Sequence, residues 1–542
     1  MIKLWALYFY TIRYLKVIQL VNRVSRKLKS YKPNHSPRPP RRKQDSEWLT
    51  IRHRSSKIIF KDTFRFLNVE HSVKHKNDWD SEKLEKLWRY NLHYFDDLVA
   101  EGAVERRDEH LDLIRRWIVD NPPLRGTGWE PYPISIRVVN WIKWSLSGNI
   151  LSEEALQSVS IQIRHLRKTL EFHLLGNHLL SNVKALIFAG CYFSGREAEK
   201  WLETGLSILS AELSEQILED GGHFERSPMY HSLIYEDLLD LINLFVVYPN
   251  LVPAEKIDRI YETAKKMGAW LQVMIHPDQE IPFFNDSAFG IAPKPNSLFR
   301  YAAALSIKPH VVSDGISWLR ESGYIRLQRK EVVLLIDIAP VGPDYIPGHG
   351  HADTLSYELS IRGKRTIVNS GVSTYSSGNQ REWERSTAAH SALEIDGQNS
   401  SEVWAAFRVG RRARVSNIFV IDNENEFVVE ASHDGYKRLP GKPIHKRRWT
   451  LSDQKLKFED FISGSFHHAI SRLYLHPSVS CVRTSRGCGM LKNSNFPIRW
   501  CVQDCDESIV LAQYFPEFGK SEDNLCLEMI PSNHHCGVAL FW

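Results

Sequence analysis

The sequence has no uncharged apolar run of the roughly 18 residues that a membrane-crossing helix needs. Its most apolar stretch, MIKLWALYFYTIRYLKVIQL at residues 1–20, is interrupted by Arg13 and Lys16. No small-residue cleavage pattern follows, so a secretory signal is not indicated. An amphipathic helix lying at an interface or against the body is expected instead. Cysteine is almost missing from the first 480 residues. Cys191 stands alone in an apolar stretch, and Cys481, Cys488, Cys501, Cys505, Cys526 and Cys536 all fall in the last 62 residues. None forms a C-x-x-C pair, which excludes the usual thiolate metal clusters but leaves free thiols and disulfides both open. There is no G-x-S-x-G elbow. GHGHAD does not complete a G-x-G-x-x-G fingerprint, and GYKRLPGK at 435–442 is one residue too long for a phosphate loop. Nucleotide chemistry and a nucleic-acid partner are therefore not expected.

Acidic residues are scarce at the N-terminus. Residues 1–60 hold 15 Lys and Arg against 2 Asp and Glu, so the remaining 482 hold 55 against 62, and the net charge of +6 belongs to the arm. Residues 22–43, NRVSRKLKSYKPNHSPRPPRRK, are basic and punctuated by proline, which predicts an extended, poorly packed segment able to meet an anionic membrane surface.

Beyond the arm, two patterns divide the chain. From about 82 to 305, apolar residues recur at i, i+3 and i+4 in segments such as ISIRVVNWIKWSLSG and IYEDLLDLINLFVVY, ended by Gly, Pro or Asn. Helices in succession without strands predict a bundle, solenoid or toroid. From about 320 the period is two, and IRGKR and TLSDQKL supply hairpin turns. The expected domains are a basic arm at 1–80, a helical domain at 81–315 and an antiparallel β-sandwich at 316–542.

Polar residues gather where apolar ones should dominate. HLLGNHLLSN (173–182) places Asn177 and His178 inside a leucine-rich run. GGHFERSPMYHSLIYEDLL (221–239) brings His223, Glu225, Arg226, Tyr230 and His231 to the start of a helix. GTGWEPYPISIRVVNWIKW (126–144) mixes Trp129, Tyr132, Arg137, Asn140 and Trp141, the blend of aromatics and donors that sugar clefts use. GHGHADTLSYEL (348–359) reads as a strand from Asp353, with His349 and His351 in line with its apolar face. Singly, each group is more often a satisfied core residue. Together, imidazoles, a phenol and a neutral amide form a coherent acid–base set.

The segments GNHLL, GGHFERSPMYH, GHGHAD, IVNSGVSTY and RSTAAHSALEIDGQ, in this order, resemble the heparinase II/III-like family of polysaccharide lyases. The resemblance implies an incomplete (α/α) toroid followed by an antiparallel β-sandwich, with the site in the cleft between them. It also implies β-elimination on a uronic-acid polysaccharide, in relatives often linked to bacterial exopolysaccharide or capsule, with the compartment open between cell envelope and cytoplasm. Elimination removes the C5 proton of a uronate and breaks its C4–O bond, so the carboxylate must be neutralised while charge spreads into it. Asn177 and His178 suit that task. The resemblance gives Tyr230 and His349 the base and acid roles, and nearby Arg226 and His231 are candidates to depress the phenol's pKa of about 10. Trp129, Tyr132, Arg137, Asn140, Arg226 and His231 are the expected substrate contacts. In relatives a structural Zn2+ is matched to the positions of His351, Asn369 and His390, and this sequence has an amide at 369 where those relatives have a carboxylate. Two other readings remain: a glycoside hydrolase using Glu225, Asp237 or Asp286, and a non-catalytic polysaccharide-binding or assembly factor.

Overall fold

The computed structural model describes residues 2–493 and 496–542. Two helices open the chain, α1 (Ile2–Ile12) and α2 (Val17–Leu28). A small antiparallel sheet at Ile58–Ser72, which the sequence reading missed, precedes the helical domain. That domain comprises α3 (Lys86–Tyr94), α4 (Arg107–Asp120), α5 (Pro131–Leu146), α6 (Glu153–Lys168), α7 (Gly176–Tyr192), α8 (Arg196–Gln216), α9 (Pro228–Val247), α10 (Ala254–Met274) and α11 (Pro295–Ala304). Helices α5, α7 and α9 lie side by side; α6 packs on α5 and α7, α8 on α7 and α10 on α9. The inner three are buried almost all round, whereas α8 and α10 bury one stripe, which is why the inner helices read as nearly continuous apolar runs. The inner and outer helices thus form a double row.

The C-terminal domain is a sandwich of two antiparallel sheets. Among the described residues, the nine-stranded sheet runs from Gly315–Leu319 through Tyr324–Arg329, Val332–Asp337, Tyr357–Ile361 and Lys364–Val368. It then crosses to Ala469–Leu475, Glu522–Pro531 and Cys505–Tyr514, with Leu393–Ile395 paired beside Ala469–Leu475. An eight-stranded sheet covers one face, and Trp449, Trp500, Leu456 and Leu540 fill the layer between. The other face meets the helical domain. There Glu358 is fully buried and bonds His276, 3.0 Å away, just after α10.

That packing corrects the reading of residues 348–359. The strand begins only at Tyr357, and every residue from His351 to Ser360 is buried. His349, His351 and Asp353 belong to the preceding loop, and Thr354, Ser356 and Glu358 do not face water, because both faces of the sheet are covered.

The arm is also not poorly packed. Arg164 of α6 donates to Ser36 O (2.6 Å) and Pro37 O (2.8 Å), Arg38 pairs with Glu153 at 2.7 Å, and Arg42 N and Ser194 N make backbone bonds between arm and helices. The prolines fix an extended path, and the helices supply donors to carbonyls that no local element satisfies. Near the C-terminus, Cys488 and Cys501 face each other on adjacent strands and are disulfide-bonded, while Cys191 is a buried thiol.

Candidate active site

Three segments from two domains converge at the cleft. The turn before α7 contributes Gly176 and Asn177. Gly176 has φ +55°, and a Cβ there would lie 2.8 Å from Glu225 Oε1, so only glycine admits this approach. The Asn177 backbone N–H and side-chain Nδ2 both donate to that Glu225 oxygen, at 3.1 and 3.0 Å. A carboxylate thus sits at the N-terminus of α7, where free N–H groups stabilise negative charge. The turn before α9 presents Tyr230: Ser227 caps the helix by accepting from Tyr230 N at 3.1 Å, and Pro228 occupies its first position. The third segment is the sandwich loop that carries His349.

The rings of Tyr230 and His349 stack with centroids 3.9 Å apart and planes 16° from parallel. His349 Nδ1 bonds Glu225 Oε2, and Tyr230 Oη lies 3.1 Å from Tyr375 Oη. Despite burial, which opposes ionisation, the neighbouring His349 and the donated bonds hold the Glu225 carboxyl down at about 2. Burial, reinforced by Tyr375, pushes the Tyr230 phenol well above its ordinary range, so it rests protonated. On the helical wall, the His178 ring lies 4.5 Å from that of Tyr132, the planes tilted by 46°, and bonds Glu171 at 3.3 Å. Burial lowers the His178 pKa, but the Glu171 charge outweighs it and the net shift is upward. The pocket continues past Tyr132 and Asn140 to Asp96, Lys143, Lys184, Asp237 and Asp240.

Four expected contacts lie elsewhere. Trp129 is buried, donates to Asn121 O at 3.1 Å and packs on Trp117. Arg137 is fully buried over the Trp117 ring and donates to Gln162, His93 O and Gly128 O. Along α5, Tyr132, Ile136 and Asn140 face the pocket at four-residue spacing, and Arg137 is turned from that stripe by about 100°. Arg226 is committed to Ser322 O and Phe224 O, and His231 to Met267 O and the Trp270 ring. The suggestion that they depress the Tyr230 pKa fails, since its shift is upward. Glu225 and Tyr375 are the residues missed as participants. Glu225 had been weighed only as a hydrolase carboxylate, although its place between Gly176 and His349 makes it the hub.

The glycoside hydrolase alternative loses its carboxylates. Glu225 is held by His349 and Asn177, Asp286 is fully buried in a two-pronged bond to Arg381, and Asp237 pairs with Lys184 at 2.6 Å.

Behind His349 lies a donor cluster suited to a metal. His351 Nδ1 and His390 Nε2 are 3.1 Å apart, and ligand atoms of His351, Asp353 and His390 all lie within 4.8 Å of one another. The second nitrogen of each ring is engaged, His351 Nε2 by Asp286 at 2.8 Å and His390 Nδ1 by Ser386 O at 2.7 Å. Both acceptors require a proton on that nitrogen. In the neutral rings, two lone pairs and the Asp353 carboxylate therefore face one another, a set that fits Zn2+. Asn369 spends its amide on Ser391 N and Ser356 Oγ, so the carboxylate opposite the imidazoles is Asp353, not position 369.

Residues 50–306 match the family described as Heparinase II/III N-terminus, and residues 312–533 match Heparinase II/III-like, C-terminal. A heparin-sulfate lyase of Bacteroides stercoris is 25% identical over 272 residues, 46% of this chain and 40% of that protein. One from Pedobacter heparinus is 27% identical over 256 residues, 41% and 36%. The matched part of the chain thus spans less than half the length of these two lyases. FtsZ-localized protein C of Caulobacter vibrioides is 24% identical over 407 residues, 71% of this chain and 66% of that one. In fold, the crystal structure of heparinase III superposes with a TM-score of 0.69 at 18% identity, covering 87% of this chain and 80% of that one. Heparan sulfate lyase HepC from Pedobacter heparinus gives 0.57 at 18%, covering 89% and 81%. With both halves of the architecture matched in order along most of its length, the chain belongs to the heparinase II/III-like family.

Proposed function

We propose that this protein is a polysaccharide lyase that cleaves a uronic-acid polymer by β-elimination. The stacked Tyr230–His349 pair, backed by Glu225, is the observation that supports this reading most strongly. Because Nδ1–H of His349 donates a hydrogen bond to the Glu225 carboxylate, the neutral ring carries its lone pair on Nε2 and can take the C5 proton. Tyr230, whose phenol keeps its proton, then gives it to O4 as the C4–O4 bond breaks and the C4–C5 double bond forms. This exchanges the base and acid roles that the resemblance implies for the pair. Asn177 has a second amide N–H beyond the one spent on Glu225, and His178 holds positive charge to higher pH beside Glu171. These two are assigned to the uronate carboxylate, where they stabilise the charge that builds as the proton leaves.

The adjoining pocket supports a polymer without dense sulfation. Among the described residues, each of its cations is already matched: Arg54 to Glu236, Lys143 to Asp240, and Lys184 to Asp237 and Asp240. A bacterial exopolysaccharide or capsule polymer is the substrate class assigned. His351, Asp353 and His390 would hold one Zn2+ with a structural role, fixing the chain just beyond His349. Metal analysis of the protein before and after chelation tests it: about one zinc per chain and a lower melting temperature on removal are expected. The activity test is a screen of sulfated and unsulfated uronate polymers for the ultraviolet absorbance of unsaturated ends. Absorbance on an unsulfated uronate polymer is expected; hydrolysis without unsaturation would reject the reaction class.

A further inference from the structure

The N-terminal helices are turned inside out relative to an ordinary surface helix. α2 faces the body with polar groups: buried Gln19 donates to Tyr345 O at 3.2 Å, and Arg26 donates to Thr169 O at 2.8 Å. Just before the helix, Lys16 pairs with Glu215 at 2.6 Å and lies 3.8 Å from the Tyr345 ring. The apolar stripe Val17, Leu20, Val21, Val24 and Leu28 points to solvent, with Val17 75% and Leu28 80% exposed. α1 is fastened by Tyr8 against Trp404 and by Thr11, which accepts from Trp404 Nε1 at 3.2 Å. It leaves Leu4, Trp5, Phe9 and Ile12 exposed, Trp5 by 70%. In a helix finished by its own domain these apolar side chains would face the body.

We propose that α1 and α2 form a docking face for an anionic lipid bilayer, lying in its surface without crossing it. No helix among the described residues is long and apolar enough to cross, and an apolar stripe rimmed by cations is the form that lies in the interface. Charge selects the occupant. Residues 1–44 hold 12 Lys and Arg and no Asp or Glu, and Arg23, Lys27 and Lys29 are exposed beside the stripe. A second copy of this chain would oppose cations to cations, whereas acidic headgroups neutralise them. The body position is set as well. Tyr345, on which α2 rests, belongs to the loop that carries His349, so docking brings that loop within roughly a helix diameter, about 10 Å, of the lipid.

Flotation of the protein with phosphatidylcholine vesicles, with and without phosphatidylglycerol, tests this. Binding to the phosphatidylglycerol vesicles that weakens with salt and is much lower on phosphatidylcholine alone is the expected result. Both Val21→Glu/Val24→Glu and Lys27→Glu/Lys29→Glu should cut it by about tenfold or more, with the melting temperature unchanged because all four side chains are exposed. Failure to float with phosphatidylglycerol, or undiminished flotation of both variants, would overturn the proposal. A dimer in light scattering that Val21→Glu/Val24→Glu dissolves, without vesicle binding, would overturn it in favour of a second copy. None of these readouts depends on catalysis, so they stand or fall apart from the lyase reading.

Discussion

At the cleft, Glu225 lies 1% exposed amid donors from two domains, while at the arm Leu28 lies 80% exposed. Both places depart from the rule that apolar groups go in and charges stay out, in opposite directions. In the cleft the buried charge is compensated by the α7 N-terminus and by His349, so the fold sustains a polar interior that an ordinary core would not hold. On the arm, polar side chains hold the helices to the body and leave the apolar stripe over. The first departure is completed within the chain. The second is the face proposed above to meet a bilayer.

Substitutions sharpen that contrast. His349→Ala should have the largest effect, lowering elimination by about 10²–10⁴-fold and also lowering the melting temperature, because the buried Glu225 carboxylate loses its imidazole partner. Glu225→Gln should lower the rate by roughly 10²-fold or more by loosening the tautomer and pose of His349. Glu225 also sets a pH window. Its pKa is depressed in the fold to about 2, so its contribution to stability is complete above the unfolded value of about 4.3 and is lost as pH falls toward 2. Acid unfolding followed by circular dichroism should show Glu225→Gln losing part of that acid-side dependence; an unchanged profile would mean that the carboxylate is not held as described. Deleting residues 22–43 should lower the melting temperature by several degrees, because Arg164 loses its carbonyl acceptors. No change would restore the expectation of a loose arm. Smallest in rate terms, Trp129→Phe and Arg137→Lys should lower stability and leave KM unaltered, whereas Tyr132→Ala should raise KM.

Much of the fold was legible because period and burial agree where one face of an element is covered. Helices α8 and α10 and the hairpins of the outer sheet are of that kind. The reading failed where both faces are covered. Residues 351–360 are buried throughout, so alternation there reports contacts with two different layers and does not locate the strand start. The structure brings Tyr230, His349 and Asn177 together around Glu225, as their coherent chemistry across distant segments suggested. Glu225 was underweighted because its function depends on reaching both Asn177 and His349, a convergence that no local pattern encodes. Trp129 and Arg137 misled because aromatic and donor residues at a helix start look alike whether they line a cleft or a core. Only the four-residue stripe of Tyr132, Ile136 and Asn140 tells them apart. The arm misled through composition: proline and charge predict extension correctly, but not whether the body bonds the extended chain.

The central claim is that the stacked phenol and imidazole carry out elimination, and Tyr230→Phe tests it most directly because the ring and its packing stay while the proton donor goes. On the uronate polymer that proves active, formation of unsaturated ends should fall by about 10²–10⁴-fold, with polymer binding and melting temperature nearly unchanged. Near-normal elimination by folded Tyr230→Phe would contradict the account.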